Sequence, residues 1–338
     1  MPDVYATSFG VLNYSGMLFN KGNTRTPFSA MIGGRAKTTN HVEFVTGQEY
    51  TTGNTFTQPA ISETASLTAP LATVVTREQK TNVTQIFHEA VGVSYAKQSN
   101  MGTLSGVNIA NQQANPMSEL DFQVAAKMQQ INNNIEYTFI NGVYQKAATD
   151  AQANKTRGMV AAIDTNEIPL AGKPLTFWDV AEGLAEVRDA NAPIDGMVLW
   201  CDPTTLFQLN GDAEANGMTI YPAAREVNGI KLDRVITPLG EVYLRLGEHL
   251  PAGTALLLNF DVIAPVFQPV PGKGNFFLEE LAKTGAGAKY QLFGQIGLDH
   301  GPEWYHAKFT GISTEFVKPQ GRNVVVVGGE TTETPDTP

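Results

Sequence analysis

The sequence predicts an α+β fold in which a single long helix is flanked by β-rich stretches. Three observations predict it. Residues 115–144 carry an uninterrupted helical signal, and residues 41–97 and 229–312 break into short apolar–polar runs bounded by turn residues. Between the first two of those runs lies a Thr/Ser/Gly/Pro-rich stretch, residues 51–70, longer than a compact domain ordinarily tolerates in a loop.

The helix comes first because the rest is arranged around it. Asn115 can cap an orphan N–H, Pro116 suits the first helical position, and Glu119 places negative charge where the helix dipole favours it. Met117, Leu120, Val124, Met128, Ile131, Ile135 and Phe139 recur at steps of three and four and share one face. The element would be about 40 Å long at ~1.5 Å per residue. A coiled coil is the plain alternative, but the polar positions hold Gln129, Gln130, Asn132, Asn133 and Asn134 where flanking charges would be needed. A broken second stripe of Phe122, Ala126, Tyr137, Ile140 and Tyr144 suggests a strut that packs a sheet on one side and touches other segments on the other.

In chain order, residues 1–40 read as an extended arm with no sustained period, punctuated by Gly10, Gly16, Gly22, Gly33 and Gly34. Such a segment cannot form a core alone and must lie across another surface. Residues 41–80 read as a long hairpin, with HVEFVTGQEY and LATVVTREQ as its strands. NVTQIFHEAVGVSYAK (82–97) resumes as a strand with Val83, Gln85, Phe87, Glu89, Val91 and Val93 on one face. A second unit spans roughly 172–285. In it Thr176 caps FWDVAEGLAEVRDA, GMVLWC is a buried strand, and Asp202–Pro203 restarts a helix. From Gly229 the pattern is β: IKLDRVITP, EVYLRLG and ALLLNFDVIAPVF. AKYQLFGQIGL and EWYHAKFTGIST then flank a turn at Asp299, His300, Gly301 and Pro302 and are expected to pair as antiparallel strands. The end, GGETTETPDTP, is acidic and expected to be disordered.

Composition narrows the function. The 338 residues carry only 17% charged side chains and a formal net charge of −10. Sparse charge on a chain this size suggests that much of its surface is covered by copies of itself. The acid excess argues against gripping nucleic acid, which needs clustered cations. The local exception is residues 4–42, with Lys21, Arg25, Arg35 and Lys37 and no acid. The lone Cys201 excludes an internal disulfide, and no apolar run approaches a membrane span or a secretory leader.

Catalytic patterns are sought and not found. His300 and His306, with Asp299 and Glu303, are not at standard ligand spacing. GVSYA (92–96) lacks the last glycine of a nucleophile elbow, and GAGAK (285–289) is too short for a phosphate loop. Cys201 reads as a buried structural thiol, and Glu182, Glu186, Glu279 and Glu280 read as solvated carboxylates. No catalytic residue, metal site or cofactor is expected.

NVTQIFHEAVGVSYAK (82–97), the long helix through Glu136 and Gly142, TRGM (156–159) and LDHGPEWYHAKFTGI (298–312) occur in that order. Together, over residues 40–315, they resemble the major capsid proteins of tailed bacteriophages with the Hong Kong 97 fold, in the branch of phage SU-ten. The resemblance implies an N-arm (1–40), an E-loop hairpin (41–80), a peripheral domain (81–171 and 286–318) with spine helix 116–144, an axial domain (172–285) and a tail (319–338). It implies subunit contacts by Phe44, Glu49, Tyr50, Phe56 and Glu63 in the E-loop and by Lys21, Arg25, Arg35 and Lys37 in the arm. Leu120, Val124, Met128, Ile131 and Ile135 would form the core face of the spine helix, with Glu136 and Arg157 structural.

The implied function is a non-enzymatic shell built of hexameric and pentameric capsomers. Its partners would be a portal, scaffolding or decoration proteins and packaged double-stranded DNA held without sequence specificity, with no membrane. The chain would be assembled in the host bacterial cytoplasm and reside in the virion. Between Thr38 and Gln79 there is no lysine, so the Lys–Asn crosslink that welds some relatives is not expected. Only residues 1–40 precede the hairpin, so scaffolding would come from a separate protein or not be needed. An encapsulin shell, or a soluble enzyme using Asp299, His300 and His306, are the competing readings.

Overall fold

In the computed structural model, residues 25–315 are described apart from 51–57, 72–73, 100–118, 218 and 284. The chain runs α1 (Pro27–Ile32), β1 (Lys37–Thr38), β2 (Glu43–Tyr50), α2 (Glu63–Ser66), β3 (Arg77–Val83), β4 (Gln85–Ser94), α3 (Tyr95–Ser99) and α4 (Glu119–Asn141). There follow α5 (Met159–Ala162), β5 (Glu167–Pro169), α6 (Phe177–Asp189), β6 (Val198–Cys201), α7 (Pro203–Asn216), β7 (Ile220–Val227), β8 (Ile230–Thr237) and β9 (Gly240–Leu246). The last strands are β10 (Ala255–Leu258), β11 (Ala264–Phe267), β12 (Phe276–Glu280), β13 (Gly287–Asp299) and β14 (Ala307–Thr310).

Two short strands explain the layering. β6 and β10 are VLWC and ALLL, buried at every position. Alternate side chains of a strand face opposite ways, so an uninterrupted apolar run marks a strand covered on both faces. Leu199, Cys201, Ala255 and Leu257 join the cluster beneath α6 and α7. Val198, Trp200, Leu256 and Leu258 join the cluster shared with α1, α4 and β13. The two strands lie inside a seven-stranded sheet ordered β5-β14-β10-β6-β9-β8-β7. α6 starts in a capping box between Thr176 and Asp179, and α7 starts on the Asp202 cap with Pro203 behind it, as the sequence predicts.

The second sheet is centred on β13, which pairs with β4 along one edge and with β11 and β12 along the other; β1 adds to β11. α4 lies against β4 and β13. Ile131, Ile135 and Phe139 are buried there, Met128 is partly buried, and Leu120 and Val124 are half-buried. Burial along this helix is concentrated in its C-terminal half. The expected start at Asn115 and Pro116 lies outside the described residues.

The helix stops at Asn141, short of the expected Tyr144, because the backbone crosses itself. Gly142 N–H donates to the Thr138 carbonyl and Gly158 N–H to the Gly142 carbonyl, both at 2.8 Å. A Cβ on Gly142 would stand 2.5 Å from the Thr138 and Thr156 carbonyl oxygens, and one on Gly158 2.5 Å from the Gly142 nitrogen. Only glycine lets the chain turn out of the helix there.

Four expectations need correction. β13 and β14 do not pair: both edges of β13 are occupied, so the chain turns after Asp299 and β14 joins the other sheet between β5 and β10. The second hairpin strand is Arg77–Val83, later than LATVVTREQ, because Tyr50 at the end of β2 pairs opposite Arg77 and leaves Val74 and Val75 without a strand partner. Sheet membership also cuts across positions 172 and 285. β11 and β12 belong with β4 and β13, whereas β5 and β14 complete the seven-stranded sheet. Finally, the root of the arm is not extended, as described next.

Candidate assembly surface

α1 has only six residues, too few to show a period or to persist alone. It is nonetheless buried: Phe28, Met31 and Ile32 are at most 1% exposed. Phe28 sits among Phe139, Trp200 and Phe260 with ring centroids 6.5, 5.8 and 5.5 Å away, so the arm root joins the spine helix to the seven-stranded sheet. Its N-terminus has no side-chain cap of its own. Glu136 of α4 supplies one: Phe28 N–H donates to Oε1 at 2.8 Å, and Ser29 N–H and Oγ–H donate to Oε2 at 2.8 and 2.6 Å. Burial raises the Glu136 pKa above its ordinary 4.5, against the pull of the Ser29 and Phe28 donors. Sequence reasoning singled out Glu136 as structural but could not see its partner, which lies more than a hundred positions away.

The arm cations are tied to their own subunit. Lys37 Nζ lies 2.6 Å from Asp299, Arg25 lies 3.5 Å from Glu248, and Arg35 bonds Asp261 and the Phe260 carbonyl. Lys21 lies outside the described residues. These contacts hold the root of the arm on the body it leaves from.

The hairpin is built differently. β2 and β3 form a two-stranded sheet of their own, with a register shift between Val45 and Gly47. Its base is anchored. Lys80 Nζ lies 3.1 Å from Glu303, whose carboxylate also accepts from Thr165 Oγ at 2.7 Å and Asp164 N–H at 3.0 Å. Burial opposes ionisation of Glu303, but the Thr165, Lys80 and Asp164 donors outweigh it and hold its pKa below 4.5. Glu43 is held below the same value by Lys146 and Thr81. Phe44 packs where a Cβ on Gly297 would strike its ring at 2.8 Å, and Asn82, fully buried, donates to the Arg157 and Leu298 carbonyls.

Beyond that base the described residues of the hairpin are exposed. Tyr50, Ile61, Leu67, Leu71 and Val74 are 66, 72, 84, 94 and 88% exposed. Glu63 is exposed in the first turn of α2, Phe56 lies outside the described residues, and Glu49 is placed only as backbone of β2. The apolar residues Ile61, Leu67, Leu71 and Val74 were not among the expected contacts. The only signal that could have found them is their presence in a stretch otherwise rich in Thr, Ser and Pro.

The same chain also carries an open groove of about 310 Å³ between β4 and α4, lined by Gln85, Ile86, His88, Ile131, Asn134 and Tyr137 among others. Ile86 and Tyr137 are 58 and 55% exposed.

The side chains of Asp299, His300, Glu303 and His306 are buried, and those of Asp299, Glu303 and His306 are bonded within the chain. His306 is fully buried; its Nε2–H donates to the His300 carbonyl at 2.9 Å and its Nδ1 accepts from Asn259 N–H at 3.1 Å. Burial pushes His306 and His300 down to about 4, so both rings are neutral near pH 7. Burial pushes the Cys201 thiol up to about 12. Among the described residues no group of three or more His, Cys, Asp or Glu side chains is placed to hold a metal ion, and no helix is long and apolar enough to cross a membrane.

Comparison with known proteins now decides the family. The SU10 major capsid protein family matches residues 1–313. The chain belongs to that family. It is a phage major capsid protein, and its solved structural neighbours share the Hong Kong 97 fold. The SrpI encapsulin of Synechococcus elongatus superposes with a TM-score of 0.59 at 12% identity, covering 91% of this chain and 95% of its own. The cyanophage A-1(L) capsid gives 0.55 at 12% identity, covering 88% and 95%. Mycobacterium phage Patience gives 0.54 at 8% identity, covering 85% and 83%. At such identities these likenesses show the fold alone, so the encapsulin resemblance does not compete with the family match. No curated protein sequence matches the chain.

Proposed function

We propose that the β2–β3 hairpin of one copy is seated in the β4–α4 groove of a neighbouring copy, and that repetition of this contact closes the head shell around double-stranded DNA. The observation that carries the reading is the exposure of Ile61, Leu67, Leu71 and Val74 in the connection between β2 and β3, a ribbon that pairs with no other strand among the described residues. A two-stranded ribbon is marginal in water, and an apolar strip of this kind marks an interaction site. Each contact can be modest, because every copy has several neighbours and linked contacts reinforce one another.

In this reading α4 and the β13-centred sheet form the peripheral domain, and the seven-stranded sheet with α6 and α7 forms the axial domain around which hexamers and pentamers close. Portal, scaffolding or decoration proteins would meet that lattice in the bacterial cytoplasm before the virion is complete. The formal charge of −10 suits a container that leaves its DNA free to spool and leave, and binding to DNA would be independent of sequence. Arg25, Arg35 and Lys37, engaged with Glu248, Asp261 and Asp299, would serve to seat the arm and not to touch DNA.

Electron microscopy of the purified protein tests this: closed shells are expected. A compact monomer with residues 58–71 folded back over its own β4–α4 groove would overturn it.

A further inference from the structure

α1 is held at both ends, and the hold at its C-terminal end carries chemistry of its own. The carbonyls of Ala30 and Met31, in the last turn, accept from one side-chain amide: Asn228 Nδ2 donates to them at 3.1 and 3.0 Å. Such carbonyls have no partner within their helix, so a donor from outside is what this end requires. Asn228 and Gly229 form the two-residue turn between β7 and β8, whose last ladder pair is Val227 with Ile230. Both turn residues have positive φ, 47° and 81°, which is why an Asn-Gly pair suits the position. The fit is close: a Cβ on Gly34 would stand 3.3 Å from Asn228 Nδ2.

Asn-Gly is also the pair in which a side-chain amide most readily meets the next backbone nitrogen, because glycine puts no side chain in the way. The sequence has three such pairs, beginning at Asn141, Asn210 and Asn228. Two of them are helical. Asn141 ends α4, where the Gly142 N–H is committed to the Thr138 carbonyl. Asn210 lies inside α7, where the next N–H is committed to the carbonyl four residues back. Gly229 lies in a turn outside the ladder, so no helix restrains its nitrogen. What restrains Asn228 is its own amide, drawn away from Gly229 onto the Ala30 and Met31 carbonyls.

We propose that Asn228 is a site of spontaneous deamidation, closed while α1 is docked and opened when the arm root lifts. In the first step the Gly229 nitrogen bonds to Asn228 Cγ and loses its proton, and the Cγ–Nδ2 bond breaks with release of ammonia. Solvent water then opens the cyclic imide at either carbonyl, leaving Asp or its β-linked isomer. The product cannot remake the hold. A carboxylate has no proton to donate to the Ala30 and Met31 carbonyls, and it sets negative charge at the negative end of a helix. Lifting of the arm root thereby becomes a one-way event, independent of how the hairpin is seated.

Incubation of the full-length protein at mildly alkaline pH supplies the test, with amide-to-acid conversion at each Asn-Gly pair followed by peptide mass analysis. Conversion at Asn228 should be slow in the native protein and roughly tenfold faster in Phe28→Ala, because it follows the undocked population. Asn141 and Asn210 should convert equally slowly in both. Equal rates at Asn228 in the two proteins would overturn the proposal. A common rise at all three pairs would assign the protection to the whole fold and overturn it too. A second arm tests the consequence. Asp-Gly suits the same turn, so Asn228→Asp keeps the β7–β8 connection and alters only the hold on α1. Tryptic cleavage after Arg25 and Arg35 should be about tenfold faster in this variant than in the native protein. Unchanged cleavage would show that the amide does not hold the arm root, and would refute the one-way release.

Discussion

α1 and the β2–β3 hairpin are both elements that could not stand alone, a six-residue helix and a two-stranded ribbon. α1 solves this within its own chain. Its apolar side chains enter the core beside Trp200, and its unpaired N–H groups are met by Glu136. Among the described residues the hairpin is tied to the body at its base, through Lys80, Glu303 and Asn82, and presents apolar side chains to solvent beyond it. The difference separates what the subunit's own fold satisfies from what the proposed hairpin contact would have to cover. Burial and hydrogen bonding hold α1 against the body, whereas the described hairpin residues beyond the base are largely exposed.

The largest expected effect separates these two roles outright. Replacing Leu67, Leu71 and Val74 by Ser should abolish shells while leaving the subunit's thermal unfolding unchanged. Each such side chain is worth about 1.5–3 kcal/mol when buried, and the loss is repeated at every neighbour. Sedimentation of the variant as full-sized shells would mean that the strip is not a contact.

Phe28→Ala should do the reverse. Truncating a buried Phe costs about 3–5 kcal/mol, so the melting temperature should fall and proteolysis near residue 25 should quicken. A melting curve identical to the native one would show that the arm root is not part of the subunit core.

Glu136→Ala should cost less, about 1–3 kcal/mol, by leaving the Phe28 and Ser29 donors unsatisfied, and Glu136→Gln should cost less still because one acceptor survives. The sign of the pH dependence follows from the raised pKa. The folded state holds the Glu136 proton more tightly than the unfolded chain, so this group's contribution is complete below 4.5 and is lost as pH rises through the folded value. Stability of the Gln variant, measured by denaturant titration across that range, should lack this decline.

The smallest effect belongs to the hairpin base. Lys80→Ala removes an ion pair whose cation is partly exposed, worth about 1 kcal/mol, while the buried Glu303 keeps its Thr165 and Asp164 donors. Glu303 and Glu43 are held below 4.5, so what they contribute is present above that value and disappears as pH falls through their folded pKa values. His300 and His306, at about 4 against an ordinary 6.5, act in the same direction, since the unfolded chain binds protons that the buried rings refuse. Hydrogen exchange should therefore show β3 opening before α4 as pH falls from 6.5 towards 4. Simultaneous opening would place these groups in one cooperative unit with the core.

What was legible in the residues was whatever depends on neighbours in sequence. The stripe Met128, Ile131, Ile135 and Phe139, the Thr176 box, the Asp202–Pro203 restart and the strands VLWC and ALLL all rest on spacings of a turn or less, and each stands where it was expected. The order of the motifs around Glu136, Gly142 and Gly158 was enough to reach the family. Which sheet each strand enters was settled elsewhere, because β13 could accept β4 on one edge and β11 and β12 on the other, leaving β14 no place beside it. The docking of α1 was likewise a tertiary event: six residues carry too little periodicity to be read, and only the approach of Glu136 and Trp200 makes them a helix worth forming. Local sequence sets the shape of each piece through backbone preference and side-chain period. Edge occupancy, buried partners and uncovered apolar surface arise only when distant pieces meet.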